Sequence, residues 1–324
     1  MAHEAKILKH SISPDGVPLC TFEIKIPRIV LAEFNTHRVF SRNSASSRAI
    51  PVEKMIKMVQ EDPYIPSSWG KNQKGMQAGI DLDERDASKA TAMWLHARDA
   101  AVEKAEKLLD LGVHKQITNR LLEPFMWHTI IVTATEWSNF FHLRNNPMAH
   151  PDIQIPARMM QELYKSSVPE ELDYGEWHLP LIGPEDYFAA FDSDIAQVDN
   201  NSQTLMKAMV KVSVGRSARV FYLTHDGKRD LAADIALHDS LLAAGHMSPF
   251  EHVARPATFE DWHVARDESL KNTPVRYAPE LEVVYNGDAP YARLAPQHQW
   301  HGNFRGWKSY RKTIPHEADI LGPR

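Results

Sequence analysis

The chain has 324 residues, a length that favours one elaborated domain or two smaller ones. Hydrophobic residues make up 43% and charged residues 24%, which excludes a disordered or fibrous chain. The net charge of −5 argues against a protein that mainly holds a long nucleic acid, since such proteins are usually basic. A single cysteine, Cys20, excludes an internal disulfide and a multi-cysteine metal site, and we assign no metal.

No run approaches 18 consecutive apolar residues, and the N-terminal residues lack the apolar core of a signal peptide. We therefore expect a soluble protein of the cytoplasm, or of the host cytoplasm if the source is viral. Neither a membrane nor a long nucleic acid is expected as a partner.

The N-terminal part alternates between strand and loop patterns. Residues 5–30 predict two strands around a turn at 13–18. Residues 35–51 are rich in Arg, Ser and Asn and predict a polar loop that leaves a strand. A short helix is expected over 52–60, followed by a loop over 61–82.

The middle of the chain is mainly helical in pattern. From Asp83 to Leu111 apolar residues recur near one helical face, and Gly112 is suited to end the helix. The residues of this face are Ala90, Met93, Trp94, Ala97, Ala101, Ala105 and Leu108. Three further helical segments and a Pro- and acid-rich connection follow: 114–123, 135–144, 151–165 and 166–195.

The C-terminal part begins with a predicted helix and a strand-like stretch over 202–223. Residues 229–244 form an amphipathic pattern that ends at Gly245. Ser248 to Glu251 then predict a capping box that starts another helix, with Pro at its first position. The last seventy residues show no strong periodicity.

A first group of residues suited to ligand binding lies in the polar loop. Arg38, Arg42 and Arg48 stand among Ser and Asn residues. Guanidinium groups offer paired donors and hydroxyls offer short ones, so this combination suits phosphate oxygens. On composition alone, a solvated surface loop is somewhat the better interpretation.

A second group is the string from Gly245 to His252. A capped helix start presents free N–H groups and a positive dipole end, which suit an anion such as a pyrophosphate. A simple corner between two helices explains the same string, with His246 capping the preceding helix. Composition alone favours the corner.

A third group combines Arg120 with Asn139 and Arg144, the last two on a probable helix with aromatic neighbours. An aromatic core helix with Arg144 in a salt bridge is the simpler interpretation. Motifs of zinc proteases, P-loop proteins, dinucleotide-binding Rossmann folds and serine hydrolases are absent from the sequence.

Taken together, the three groups resemble the flavin-dependent thymidylate synthases. That family carries an R-H-R-x7-S signature that continues as S-x-R, and residues 36–48 read THR, seven residues, then SSR. The preceding strand, CTFEIKIP, resembles the strand that leads into the family signature. The residues that match are His37, Arg38, Asn43, Ser46 and Arg48.

Two further segments are similar to this family. GVHKQITNRLLEP resembles its G-x3-E-x-A-R-x2-L-P helix and places Arg120 on the arginine. EWSNFFHLRNNPMAHPDIQ resembles N-F-x2-L-R-x4-A-Q-x-E-I, which carries over Asn139, Arg144 and Ala149. His150 stands where the family often has Gln.

The remaining family block, A-A-R-V-S-Y followed by G-H-x-[ST]-P-F-E-H, normally comes first. Here it is found as SARVFY at 217–222 and GHMSPFEH at 245–252. We interpret this order as a circular permutation, which is physically reasonable where chain termini lie close together at the surface.

The resemblance implies an α+β fold, with a mixed antiparallel sheet flanked by helices. It also implies one catalytic domain over 1–324 with permuted block order. Its parts would be a signature, dUMP-binding and helical part, a flavin-binding block and a C-terminal extension: 5–165, 200–255 and 256–324.

The implied reaction is the reductive methylation of dUMP at C5. Methylenetetrahydrofolate donates the one-carbon unit, reduced FAD carries the hydride, and NADPH reduces the flavin. The family forms homotetramers with active sites between subunits. It lacks the cysteine nucleophile of the other thymidylate synthases, which agrees with Cys20 as a small buried hydrophobe in a strand.

The resemblance also assigns roles to residues. The dUMP-binding residues would be Glu33, Ser46, Arg48, Arg120 and Arg144. The FAD-binding residues would be His37, Arg38, Ser44, Asn139, His246, Ser248 and Glu251. The catalytic residues would be Arg144, His246 and Asn139. Arg144 would stabilise negative charge that develops on the pyrimidine, and His246 could relay a proton.

Four positions depart from the family pattern. Thr36 replaces the first signature Arg, Ser44 a common Glu, Ala49 a common Tyr, and Glu33 a common Gln. These departures leave two alternatives open. One is a related flavin- and folate-dependent methylase or hydroxymethylase of another pyrimidine nucleotide, such as dCMP. The other is a non-catalytic nucleotide- or RNA-binding module.

Overall fold

A five-stranded sheet with the strand order β3-β4-β2-β1-β5 forms the centre of the computed structural model. Its strands are β1 (Glu4–Ile12), β2 (Pro18–Pro27), β3 (Ser41–Ser44), β4 (Trp127–Ala134) and β5 (Glu170–Glu171). The structure describes residues 3–193, 202–222, 229–258, 261, 281–286, 289–294, 298–315 and 317. Four neighbouring strands pair antiparallel, and β5 alone is parallel to its neighbour β1. The mixed sheet with its helices confirms the expected α+β fold.

Nine α-helices are found among the described residues. They are α1 (Leu31–Phe34), α2 (Val52–Glu61), α3 (Glu84–Asp110), α4 (Lys115–Thr118), α5 (Ser138–Arg144), α6 (Pro151–Ser166), α7 (Pro184–Phe191), α8 (Ser202–Tyr222) and α9 (Leu231–Ala243). The remaining strands are β6 (Ala254–Pro256), β7 (Leu281–Asn286), β8 (Ala289–Leu294), β9 (Trp300–His301), β10 (Phe304–Arg305) and β11 (Trp307–Ser309). None of the described helices is both long enough and apolar enough to cross a membrane.

The hairpin of β1 and β2 confirms the two strands and the turn predicted within residues 5–30, up to Pro27. Gly16 has a φ of 73° in the turn, a backbone conformation that glycine adopts without strain. Cys20 lies in β2 with no exposed surface, as expected, and burial raises the pKa of its thiol. After Pro27 the chain does not continue as a strand but turns into a short 3₁₀ segment and α1.

The helices α2 and α3 confirm their predictions closely. The side chain of Asp83 caps α3 by accepting a hydrogen bond from the Asp86 N–H. Gly112 follows the helix with a φ of 77°, as its predicted role requires. The predicted apolar face is partly wrong, because Met93 is 70% exposed: α3 packs on α2 mainly through its C-terminal half.

Two predictions fail where tertiary contacts override local pattern. The polar segment 35–51 is not a loop throughout, since its backbone pairs with β4 and forms β3. The strand-like end of 202–223 is helical, because α8 continues to Tyr222. α8 buries residues on several faces, including Met209, Val212 and Val214, so its β-branched residues fill a core. Its sequence therefore lacks the one-sided pattern of a surface helix.

Two predictions about segment ends also need correction. Ser248–Glu251 forms a single 3₁₀ turn whose N-cap is Met247, and no side chain caps it. The predicted capping box and helix start are therefore wrong. The connection at 166–195 is not wholly irregular, since it contains β5 and α7.

The hydrophobic cores place the family-like segments side by side. One core joins the sheet to α1, α5 and α6, and a second surrounds α8 and α9. The strand β3 lies between them, because α8 and the 248–251 turn both pack against it. Residues far apart in sequence thus meet at this edge of the sheet.

Candidate functional site

The end of α5 is tied to the signature turn that follows α1. Arg144 donates from Nε to His37 Nε2 at 3.0 Å. Its Nη2 donates to the carbonyl oxygen of Glu33 at 3.1 Å and to Thr36 Oγ1 at 2.9 Å. The structure therefore brings together three residues expected at the site: Glu33, His37 and Arg144.

His37 is held as a neutral acceptor for this contact. It is buried, and burial together with the charges of Arg144 and Arg42 lowers the pKa of its imidazole to about 4. Its ring stacks on Phe40 at 5.6 Å and meets the edge of Phe140 at 5.0 Å. The aromatic contacts fix the ring, so the direction of the Arg144 guanidinium is fixed as well.

The strand β3 joins this turn to the C-terminal family block. Asn43 donates from Nδ2 to the carbonyl oxygen of Ser217 at 2.8 Å, and Ser248 Oγ donates to Asn43 Oδ1 at 3.3 Å. Its neighbour Arg42 is half-buried near Glu251: burial and Arg38 lower the pKa of Arg42, whereas Glu251 raises it. Segments about 200 residues apart therefore meet at one strand.

A second cluster forms where the loop after β3 meets the turn at 119–125. Glu123 Oε1 accepts from Ser47 Oγ at 2.6 Å and from Arg120 at 2.8 Å. Arg28 Nε lies 3.5 Å from Glu123 Oε2. The loop itself is held by Asn119 Nδ2, which donates to the carbonyl oxygen of Ser47 at 2.7 Å. Arg120 is thereby placed close to the loop that carries Ser46 and Arg48.

A groove of about 420 Å³ opens beside this cluster. Its lining includes both guanidinium groups, one amide and one carboxylate: Arg28, Arg120, Asn35 and Glu123. Arg28 is not among the residues expected at the site, because it lies within the segment predicted as strand and carries no local signal of ligand binding. Its position beside Arg120 depends on the fold of the turn at 119–125.

Several expected site residues are not joined to these clusters by side-chain contacts. Within the described part of the chain, four exposed residues make no side-chain hydrogen bond: Arg38, Arg48, Asn139 and His246. The same holds for half-buried Ser44 and Ser46. No contact recorded between described residues joins His246 to Asn139 or Arg144. These groups all lie at the surface of the single chain, available to a ligand or to another copy.

A family model described as thymidylate synthase complementing protein matches residues 8–170, half of the chain. The chain belongs to this family of flavin-dependent thymidylate synthases. The matched residues include the signature turn, the Arg120 segment and α5. They do not include the 217–222 and 245–252 blocks, so the permuted order remains a prediction.

Curated relatives agree with this assignment. A flavin-dependent thymidylate synthase of Thermus thermophilus is 28% identical over 173 residues, which covers 52% of this chain and 60% of the relative. A protein of the same name from Pseudothermotoga lettingae is 26% identical over 152 residues, which covers 46% of this chain and 62% of the relative. The chain thus spans about three-fifths of the length of the curated relatives it matches.

Among solved structures, the chain is similar to a UMP/dUMP methylase, PolB, from Streptomyces cacaoi in complex with 5-Br UMP. The TM-score is 0.42 at 17% identity, covering 50% of this chain and 88% of that chain.

Proposed function

We propose that this chain methylates dUMP at C5 as a flavin-dependent thymidylate synthase, with methylenetetrahydrofolate as one-carbon donor. The observation that carries the proposal is the meeting of three family-like segments at one edge of the sheet. The signature turn holds Arg144 of α5, and β3 holds Ser248 of the C-terminal block. Such a convergence is expected of one nucleotide- and cofactor-binding site.

The cluster around Glu123 would bind the phosphate of the nucleotide. A phosphate dianion needs charge-assisted donors, and Arg guanidinium groups suit it best. Arg120 and Arg48 would supply these donors together with Ser46. We add Arg28 to this set, because it lines the same groove as Arg120. Glu123 orients both groove arginines before the ligand arrives.

Arg144 would stabilise the reacting pyrimidine. Its Nε and Nη2 are occupied by protein acceptors, while Nη1 makes no hydrogen bond to any described residue. The Nη1 group of this fixed guanidinium can therefore donate a hydrogen bond to a pyrimidine carbonyl as C5 becomes nucleophilic. A preorganised donor lowers the barrier because it does not have to reorient during the reaction.

Surface groups of the signature turn, α5 and the 245–252 block suit an anionic flavin dinucleotide. Arg38, Asn139, His246 and Ser248 present a cation, an amide, an imidazole and a hydroxyl at the surface, and His37 and Ser44 are near Arg38 in the chain. Bound FAD would supply the hydride after reduction by NADPH. Thr36 has a different task from the arginine it replaces, because its Oγ1 accepts from Arg144 and donates to the Glu33 carbonyl.

The exposure of these groups supports completion of the site by a second copy. Arg38, Arg48, Asn139 and His246 are all exposed on the single chain. A homotetramer with sites between subunits would bring such surfaces together. The contact of β3 with α8 and the 248–251 turn supports one catalytic unit over 1–324 with a permuted block order.

One observation favours dCMP as the alternative substrate. Glu33 Oε2 is buried and accepts no hydrogen bond from any described residue. A carboxylate is an acceptor, and the exocyclic amine of cytosine is a donor that carboxylates bind. Uracil carries a carbonyl at that position, so only its neighbouring N3–H could donate to the carboxylate.

The test is the visible absorption spectrum of the protein with FAD, followed by titration with each nucleotide. Flavin bands near ~450 nm that shift with dUMP and not with dCMP would support the main proposal. A shift with dCMP alone would move the assignment to the alternative substrate. No flavin binding would reject both and favour a nucleotide-binding module.

A further inference from the structure

The C-terminal segment, described over 298–315 and at 317, crosses the sheet from the turn between β1 and β2 to β3, the strand that borders the candidate site. It is anchored by two large buried side chains, Trp307 and Phe304, of which 0% and 1% are exposed. Trp307 Nε1 donates to the carbonyl oxygen of Val17 at 2.9 Å, and β11 pairs antiparallel with β6. The segment is therefore an integral layer of the fold, although the family model does not reach it.

The segment contacts two other parts of the candidate site. Asn303 Nδ2 donates to Ser41 Oγ in β3 at 3.2 Å. Arg305 donates from its backbone N–H to Thr135 Oγ1 at 3.2 Å and from Nε to Glu136 at 2.6 Å. Ser41 opens the signature strand, and Glu136 stands just before α5.

The segment also contacts the block that contains Glu251. Tyr310 stacks on Phe250 with ring centroids 5.9 Å apart and planes at 17°, and its N–H donates to the Val253 carbonyl at 2.7 Å. Arg311 then donates to Glu251 Oε1 at 2.6 Å. Its Nε donates to Glu317 at 2.7 Å, so Arg311 is held from two sides.

Glu251 lies in the 248–251 turn, which packs against β3, the strand that carries Arg42. The charge of Glu251 acts on half-buried Arg42, which also lies near Arg38. Loss of Arg311 would leave the Glu251 carboxylate without this partner, so that more of its negative charge would act on Arg42. Pairing with Arg311 therefore preserves more of the positive potential of half-buried Arg42 and exposed Arg38. An anionic ligand gains from that potential.

We propose that segment 298–317 completes the cofactor-binding face, with Arg311 as the residue that positions Glu251. The inference rests on the proposed function, since the ligand in question is the flavin dinucleotide. Arg311 does not itself contact the cofactor in this proposal. It acts through Glu251 and, through Glu251, on the charge presented by Arg42.

The test compares Arg311→Gln with Lys312→Gln. Both changes remove one positive charge and one contact with Glu317, but only Arg311 reaches Glu251. Deleting the segment would be uninformative, because Trp307 and Phe304 belong to the core. FAD affinity is measured by quenching of flavin fluorescence, with visible circular dichroism of the bound flavin and the Tm of the flavin-free protein.

Arg311→Gln should weaken FAD binding about tenfold, the scale of one hydrogen bond to a charged group. Lys312→Gln should change it by less than about twofold, as expected of an exposed ion pair. Arg311→Lys should recover part of the loss. Glu251→Gln combined with Arg311→Gln should be no weaker than Glu251→Gln alone, because both act on one contact.

Equal FAD affinities for Arg311→Gln and Lys312→Gln would overturn the inference while leaving the proposed function intact. The inference would also be overturned if the two substitutions, Glu251→Gln and Arg311→Gln, each weakened FAD binding by the same factor in the double variant as they do alone. If the unaltered protein binds no flavin, the proposed function fails first, and the positioning role of Arg311 fails with it.

Discussion

Arg144 shows how a half-buried residue at the rim of a site can be held rigidly. It makes hydrogen bonds to the Glu33 carbonyl, Thr36 and His37, all within one turn of chain. The histidine can accept only because it is neutral, and burial keeps it so. A lysine at position 144 could not span these acceptors with a planar fork, so Arg and Lys are not interchangeable here.

Arg48 offers the clearest test of the proposed phosphate-binding residues around Glu123. Its side chain is exposed and pairs with no described residue, so the folded chain does not need it. Arg48→Ala should therefore leave Tm unchanged but weaken dUMP binding about 10- to 100-fold, since a charge-assisted contact is lost. Binding is measured by titration of the flavin absorption difference.

The matched control for Arg48 is Arg158→Ala. Arg158 lies on α6, is also exposed and pairs with no described residue. It should leave dUMP affinity unchanged. Equal weakening in both variants would indicate a general effect of protein charge and contradict a phosphate contact at Arg48.

The sequence selects candidate site residues by type and spacing, but it does not show which partners hold them. The signature pattern singles out His37, Arg38 and Ser46 by type and spacing. The role of Arg28 follows only from a turn about 90 residues further along the chain. Likewise, nothing in the local sequence shows that Arg311 reaches Glu251, because the contact is made by tertiary folding.

The helix α8 carries the acceptor for Asn43 and depends on a close approach to α9. Gly215 lies where the two helices touch, and a Cβ there would collide with the backbone carbonyl of Asp234. Arg216 follows at once and is buried between Asp186 and Asp234, at 2.8 and 2.9 Å. Glycine at 215 thus permits a helix contact that a larger residue would push apart.

Gly215→Ala should consequently destabilise the protein, although alanine is the better helix former by about 1 kcal/mol. Overpacking of this kind costs about 1–3 kcal/mol, and the carbonyl is backbone that cannot rotate away. We expect a lower Tm in calorimetry. A higher Tm would mean that the helices separate freely and that the close contact is not needed.

Among the helices and strands, the sequence predicts those features that depend on local interactions. α3 begins after Asp83 and ends before Gly112 as expected, because capping and helix termination are local. β3 escaped prediction because its strand state comes from pairing with β4, not from its side chains. The 248–251 turn has the letters of a capping box, but Met247 takes the N-cap position.

Several proposed site residues lie at the surface and make no side-chain hydrogen bond to any described residue, and this exposure predicts assembly of the whole molecule. If the sites lie between subunits, light scattering should give about 148 kDa, four times the chain mass of 36.9 kDa. A monomeric mass at micromolar concentration, with dUMP binding intact, would contradict completion of the site by a second copy.

Stability of the whole molecule should fall as the pH decreases from about 6.5. Burial is the leading cause of a lowered pKa for six buried histidines, of which His10 and His238 have the smaller shifts. The other four have large shifts: the pKa of His37 falls to about 4, those of His128 and His252 to about 3, and that of His178 well below its usual range. Histidines in the unfolded chain have a pKa of about 6.5, so they bind protons at a pH where these histidines stay neutral in the folded state. As the pH drops, the unfolded state therefore binds more protons than the folded state, and the free energy of unfolding falls.

Each such histidine reduces the free energy of unfolding by about 1.4 kcal/mol per pH unit below its unfolded pKa, so the four together approach ~5 kcal/mol per unit. Urea unfolding between pH 7 and 5 measures this slope. His128→Gln should reduce the slope of the free energy of unfolding against pH by the contribution of one histidine, because the variant lacks this buried imidazole. A free energy of unfolding that is flat over this range would show that these rings accept protons in the folded state, and that His37 is not the fixed neutral acceptor that orients Arg144.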